Sequence, residues 1–218
     1  MTFDKNWDLD IYKKRKQINK HPYDKIVSSI NRYFNKKKSS VKKLTALDLG
    51  CGTGNNTKFL CEYGFRKVIG IDGSRSAIKF AKRFLKKNKN CELFVGDFNN
   101  LNFIDRSIGA CIDRGSITHN SKKNIDSIIL EVYRILKRNS IFISCLFSKD
   151  HYAYQKKKNL FFKKETGAKS GLVTSFFDKN EIKKLFKNFK TEIIIHEINF
   201  DIITNKKSSM WFVVVKKI

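Results

Sequence analysis

What the chain lacks narrows its reading first. None of its 218 residues belongs to an apolar run near the ~20 residues that a membrane-spanning helix needs. The clear runs are as short as Ile141 to Phe147. The opening stretch MTFDKNWDLD has no basic region followed by an apolar core, so no secretory signal is read there. The five cysteines (Cys51, Cys61, Cys91, Cys111 and Cys145) form no CxxC pair and are odd in number, which argues against a zinc clip or a disulfide framework. They read as small buried residues in a reducing compartment. Proline occurs once, at Pro22, and no Pro-, Gly- or Ser-rich linker divides the chain. The expectation is a cytoplasmic protein with one compact domain and no metal.

Acidic residues are also scarce. Asp and Glu number 20 against 46 Lys and Arg, a net charge of +26. Clustered cations can neutralise phosphates, so a nucleic-acid partner has to be weighed. Only nine of the basic residues are arginines, however, and lysine is a solvated point charge, not a bidentate fork. The lysines also spread along the whole chain, from KKRK at 13–16 to KKK at 156–158. A general compositional drift toward Lys, Asn, Ile and Phe is the favoured explanation, with a nucleic-acid partner the less favoured one.

Strand-like and helix-like runs alternate. Leu44 to Leu49, Lys67 to Ile71, Glu92 to Val95, Ile108 to Ile112 and Ile141 to Phe147 are short apolar runs fit for buried strands. Between them lie helix candidates at Asn55 to Tyr63 (closed by Gly64), Ser74 to Asn88 and Asn124 to Lys137. Such alternation predicts a mostly parallel sheet covered on both faces, a Rossmann-like α/β three-layer sandwich. After a helix at Glu181 to Phe189, the β-rich runs Thr191 to Ile198 and Met210 to Val215 have no helix between them. They predict a hairpin at one edge, giving seven strands with an antiparallel C-terminal edge strand. Residues 1–42, with a helix candidate from Tyr23 to Asn35, form a cap before the 43–218 domain. The polar stretch from Ser148 to Ser175 reads as a loop or lid insertion.

In a parallel sheet, ligands bind at the carboxyl ends of the strands. Here the first run is followed by Gly50, Gly52 and Gly54, and the next three end at Asp72, Asp97 and Asp113. The glycine spacing is GxGxG, and Asn55 stands where a dinucleotide fingerprint has its last glycine. A P-loop would need Lys–Ser/Thr after its glycines, and GNNT is not that. Asp48, two residues ahead of the first glycine, favours a cationic ligand end over a phosphate. Asp72, 22 residues beyond Gly50, is placed to accept hydrogen bonds from two ribose hydroxyls.

The run LDLGCGTG resembles the first motif of the class I S-adenosylmethionine-dependent methyltransferases. The resemblance continues through GIDGS, GDF, CIDRGS and EVYRILKRNSIFIS, covering about Ala46 to Ser148. It implies S-adenosylmethionine as cofactor. Asp48, Gly50, Cys51, Gly52 and Gly54 would embrace its methionine portion, and Asp72, with Gly73 and Ser74, its ribose. Asp97 and Phe98 would flank the adenine, and Asp113, Arg114 and Gly115 would close the far wall near the methyl group.

The acceptor side is less determined. His119, in DRGSITHN, is the candidate base, with a backbone-bonded turn histidine as its alternative. Asp113 and His151 are the other catalytic candidates, and Tyr152 beside His151 could meet the acceptor. The N-terminal segment resembles the cap of small-molecule members, so Trp7, Tyr12 and Tyr23 either roof the pocket or pack on outer helices. Amino-methylating nucleic-acid enzymes of this class carry a DPPY- or NPPY-like stretch where this chain has DRGS. A small-molecule acceptor is therefore expected, anionic or sugar-linked. An RNA methyltransferase and a non-catalytic cofactor-binding partner protein are the alternatives.

Overall fold

The computed structural model describes residues 4–35, 38–154 and 172–218. Its strands are β1 (Thr45–Leu49), β2 (Lys67–Asp72), β3 (Cys91–Val95), β4 (Ile108–Asp113), β5 (Leu136–Phe147), β6 (Lys190–Asp201) and β7 (Lys206–Lys216). Its helices are α1 (Asp24–Phe34), α2 (Lys38–Val41), α3 (Asn55–Tyr63), α4 (Arg75–Phe84), α5 (Lys122–Ile135) and α6 (Lys179–Leu185). A π-helical turn, Trp7–Tyr12, precedes them.

The strands form one sheet in the order β3-β2-β1-β4-β5-β7-β6. The pairs β1–β2, β1–β4, β2–β3 and β4–β5 are parallel. Strands β1 and β4 are buried at every residue, which is why they read as unbroken apolar runs. Period-two alternation splits them between two cores. Leu47 and Leu49 join the core that contains Ile125, Ile128, Ile129 and Val132 of α5 and Ile182 of α6. Ala46 joins Ile26 and Ile30 of α1 and Leu60 of α3 on the opposite face. Helix α4 packs beside β2 and β3.

Local chemistry sets the ends. Helix α3 runs between Gly54 (φ +88°) and Gly64 (φ +105°), both left-handed, so its bounds follow from the glycines. Helix α6 starts at Lys179, earlier than its apolar spacing suggests, because Asp178 and Glu181 form a capping box.

The expected C-terminal hairpin forms at one edge of the sheet. The reversed strand is β7, inserted between β5 and β6, and the edge strand β6 runs with the parallel set. Burial explains the choice. Trp211 to Val215 are all buried and need neighbours on both sides, whereas much of β6 is solvent-facing and tolerates the edge. Of the expected lid over 148–175, residues 155–171 lie outside the described residues. Among the described residues, no helix is long and apolar enough to cross a membrane, and no group of three metal-ligating side chains forms.

The two-faced core predicts unequal costs along α5. Replacing fully buried Ile128 by alanine should lower unfolding free energy by about 2–4 kcal/mol. The same change at Leu130, which is 56% exposed, should cost within about 0.5 kcal/mol. Urea unfolding of the two variants measures the contrast.

Candidate functional site

The carboxyl ends of β1, β2, β3 and β4 open into one cavity of about 770 Å³, within the usual range for small-molecule and cofactor sites. It runs from Asp72, Gly96 and Phe98, past Gly50, Cys51 and Gly52, to Arg114, Gly115 and His119. Of the expected aromatics, Trp7, Tyr12 and Tyr23 line it.

The glycine loop is folded so that only glycine fits. Gly50 and Gly52 both have left-handed backbones. A Cβ on Gly50 would lie 1.8 Å from Ser116 Oγ, and one on Gly52 would lie 2.7 Å from the Tyr12 hydroxyl. The amides of Gly50 and Cys51 both donate to the Ile71 carbonyl, at 2.7 and 3.0 Å, which pins the loop to the end of β2. Asp72 receives the Gly52 amide at 2.9 Å and the Ser74 amide at 2.8 Å. Burial pushes its carboxyl up to about 6.

Several expected site residues do not reach the cavity. Asp48 is buried behind the loop, where it accepts the Thr57 hydroxyl at 2.6 Å and so ties β1 to α3. Burial raises its carboxyl to about 7. Gly54 turns toward Leu85 instead. Ser74 caps α4 and is fully buried. Asp97 accepts the Asn99 amide at 3.1 Å, and its neighbours Gly96 and Phe98 line the cavity in its place. Asp113 is fully buried and accepts from the Ser116 amide (2.7 Å), the Ile117 amide (3.1 Å) and the Ser144 hydroxyl (2.8 Å). These bonds fold the turn that carries Arg114 to His119. His151 is packed between Phe147 and Tyr152, with its Nδ1 accepting the Ala153 amide. Tyr152 lies over the β6–β7 end of the sheet, under Lys206. Neither lines the main cavity.

His119 does line it. Its ring meets Trp7 edge-on at 4.7 Å, and its Nδ1 lies 2.9 Å from the Thr174 hydroxyl. In the tautomer protonated at Nδ1, that hydroxyl accepts from Nδ1–H and donates to the Leu172 carbonyl at 3.3 Å. The Nε2 lone pair is then the ring's proton acceptor. Burial pushes the imidazole down to about 4, and it is neutral at pH 7.

The N-terminal segment closes over the loop through named bonds. Asp8 accepts the Ser74 hydroxyl at 2.5 Å and the Ser76 amide at 2.8 Å. Thr53 donates to the Asn19 carbonyl, Asn55 donates to the His21 carbonyl, and Asn56 accepts the Tyr23 amide. The sequence reading missed the lining residues Asn120, Ser116, Phe147 and Met210. Met210 opposes Phe147 only because β7 pairs with β5, a register no local signal announces.

Comparison with known proteins agrees with this geometry. Residues 46–139 match a family model described as a methyltransferase domain. Human EEF1A lysine methyltransferase 2 is 32% identical over 116 residues, 49% of this chain and 49% of that protein. The chain thus spans about half the length of that relative. An uncharacterized protein from Methanocaldococcus jannaschii is 27% identical over 204 residues, 80% of this chain and 76% of its own. In fold, the chain is similar to a SAM-dependent methyltransferase from Methanosarcina mazei, with a TM-score of 0.66 and 22% identity over 80% of this chain and 92% of that one. Over residues 46–139 the chain is thus similar to a methyltransferase domain, on a fold like that of S-adenosylmethionine-dependent methyltransferases. S-adenosylmethionine is the cofactor that this similarity implies. The residues present fit it: a buried carboxylate for a ribose diol, an aromatic ring for adenine, and a side-chain-free loop between them.

Two predictions follow from these contacts. S-adenosylhomocysteine at roughly a hundredfold excess over Kd should raise the melting temperature by about 5–10 °C. Asp72→Ala should abolish that rise, and differential scanning fluorimetry reads both. The second concerns acid. His119 has a folded value of about 4, below its ordinary 6.5, so the unfolded chain binds the proton first. Its contribution to stability is complete above pH 6.5 and is lost as pH falls toward 4. Asp48, Asp72 and Asp113 act oppositely, since their raised values favour the folded state most at low pH. His119→Asn should therefore flatten the acid-side loss of the urea midpoint between pH 6.5 and 4. An unchanged slope would show that the ring titrates as it does in the unfolded chain.

Proposed function

We propose that this chain transfers a methyl group from S-adenosylmethionine to an oxygen or nitrogen of a small-molecule acceptor. One observation carries the reading. The cavity that holds Asp72 and Phe98 at one end continues to His119, Arg114 and Met210 at the other, beneath a roof that includes Trp7 and Tyr12. Donor and acceptor would thus share a single walled space.

Bound S-adenosylmethionine supplies an activated electrophile, the methyl on a sulfonium sulfur. The protein's task is to orient the acceptor and exclude water, so proximity accounts for most of the rate. Asp72 would accept hydrogen bonds from the ribose hydroxyls, Gly96 and Phe98 would flank the adenine, and the backbone from Gly50 to Gly52 would face the methionine portion. Trp7, Tyr12 and Phe147 would keep water from the acceptor. The Nε2 lone pair of His119 would accept the acceptor's hydrogen bond. A ring this weakly basic orients a proton and receives it only as positive charge builds on the nucleophile.

The name of the human relative favours a second reading, a lysine side chain of a protein as acceptor. Against it stands the net charge of +26, which repels a lysine-rich partner. An RNA acceptor draws support from that charge alone.

The test is transfer of labelled methyl in a lysate that is then fractionated. Label should enter the small-molecule fraction and not protein or RNA, and His119→Asn should lower the rate about 10- to 100-fold. Label confined to protein or RNA would overturn the small-molecule reading.

A further inference from the structure

The acceptor end of the cavity has a polar pattern of its own, and the inference drawn from it rests on the function proposed above. Arg114 follows directly on β4 and lines the cavity. Its guanidinium lies 4.4 Å from the centroid of the Tyr23 ring. Among the described residues it has no carboxylate partner, in contrast to Arg134, which is held by Glu131 and Asp105. A guanidinium packed against a ring and paired with no carboxylate keeps N–H groups available for a bidentate partner.

The stacking ring is itself fixed. Tyr23 donates its hydroxyl to Glu197 at 2.9 Å, and Glu197 pairs with Lys25 at 2.6 Å. Glu197 is thus engaged by Tyr23 and Lys25, and Arg114 is positioned without being neutralised. A cation held in a walled cavity, with no carboxylate partner among the described residues, is complementary to an oxyanion.

We propose that the acceptor is a small oxyanion-bearing molecule, with its carboxylate or phosphate group held by Arg114. Trp7, Phe147 and Met210 then form the apolar walls around its body. This assigns Arg114 to the acceptor, away from the cofactor wall that sequence similarity suggests. It also gives the anion preference a defined place, at the Arg114 guanidinium, rather than in the lysine charge spread along the chain.

The experiment uses the full chain, isotopically labelled on its arginines and loaded with S-adenosylhomocysteine. The Nε–H signal of Arg114 is identified by its loss in Arg114→Lys. Inorganic phosphate and acetate are titrated separately at constant ionic strength. The Arg114 signal should shift saturably, at an anion concentration about tenfold lower than surface arginines such as Arg32 and Arg83 require. Response to phosphate alone assigns a phosphate-bearing acceptor, and response to acetate alone assigns a carboxylate. With the labelled product from a metabolite extract, Arg114→Gln should lower kcat/KM about 10- to 100-fold and leave affinity for S-adenosylhomocysteine unchanged. That product should be retained on an anion exchanger. A response no greater than that of the surface arginines overturns the proposal. So does an Arg114 signal that moves with S-adenosylhomocysteine and then ignores both anions, or a labelled product with no anionic group. Saturable anion binding at Arg114 with no labelled product from any pool would instead count against the transfer reaction alone.

Discussion

The site is organised around one buried carboxylate. Asp72 receives amides from Gly52 and Ser74, and so joins the glycine loop after β1 to the first turn of α4. Ser74 in turn donates to Asp8, which brings the N-terminal segment down over the same point. Three segments far apart in sequence meet there. Because the carboxyl is buried, burial raises its proton affinity, and the two amides oppose that shift. A further pair of hydroxyl donors would complete its hydrogen bonding, which is the chemistry a ribose offers.

The other buried acids serve the frame. Asp48 braces α3 against β1 through Thr57, and Asp113 folds the turn after β4 by accepting three donors. Both sit at strand ends, where an aspartate reads as a ligand residue, and both are spent on backbone geometry. Their work is felt at the site indirectly. Without the Asp113 turn, Arg114 and His119 would not face one cavity. The division between acids that touch a ligand and acids that hold loops depends on side-chain direction, which strand position alone does not reveal.

The proposed function divides along the same axis. The donor end is made of backbone shape and one carboxylate. The acceptor end is made of side chains contributed by remote segments: Trp7 and Tyr23 from before the first strand, Arg114 to Asn120 from after the fourth, and Met210 from the last. Strong net charge dominates the composition, yet Arg114 is the guanidinium that lines the cavity, 4.4 Å from the Tyr23 ring centroid and with no carboxylate partner among the described residues.

The sequence by itself determined the alternation of elements, the bounds of α3 between two glycines, and the glycine loop with Asp72 behind it. These are local properties, set by apolar period, left-handed backbone and spacing along a few dozen residues. Only the tertiary structure decided that β7 enters between β5 and β6, because that choice depends on which strand can bury both faces. The same level decided that Met210 and Phe147 share a wall and that His151 and Tyr152 lie outside the cavity. Those are matters of nonlocal packing, where a residue's neighbours come from elements that the chain brings together only on folding.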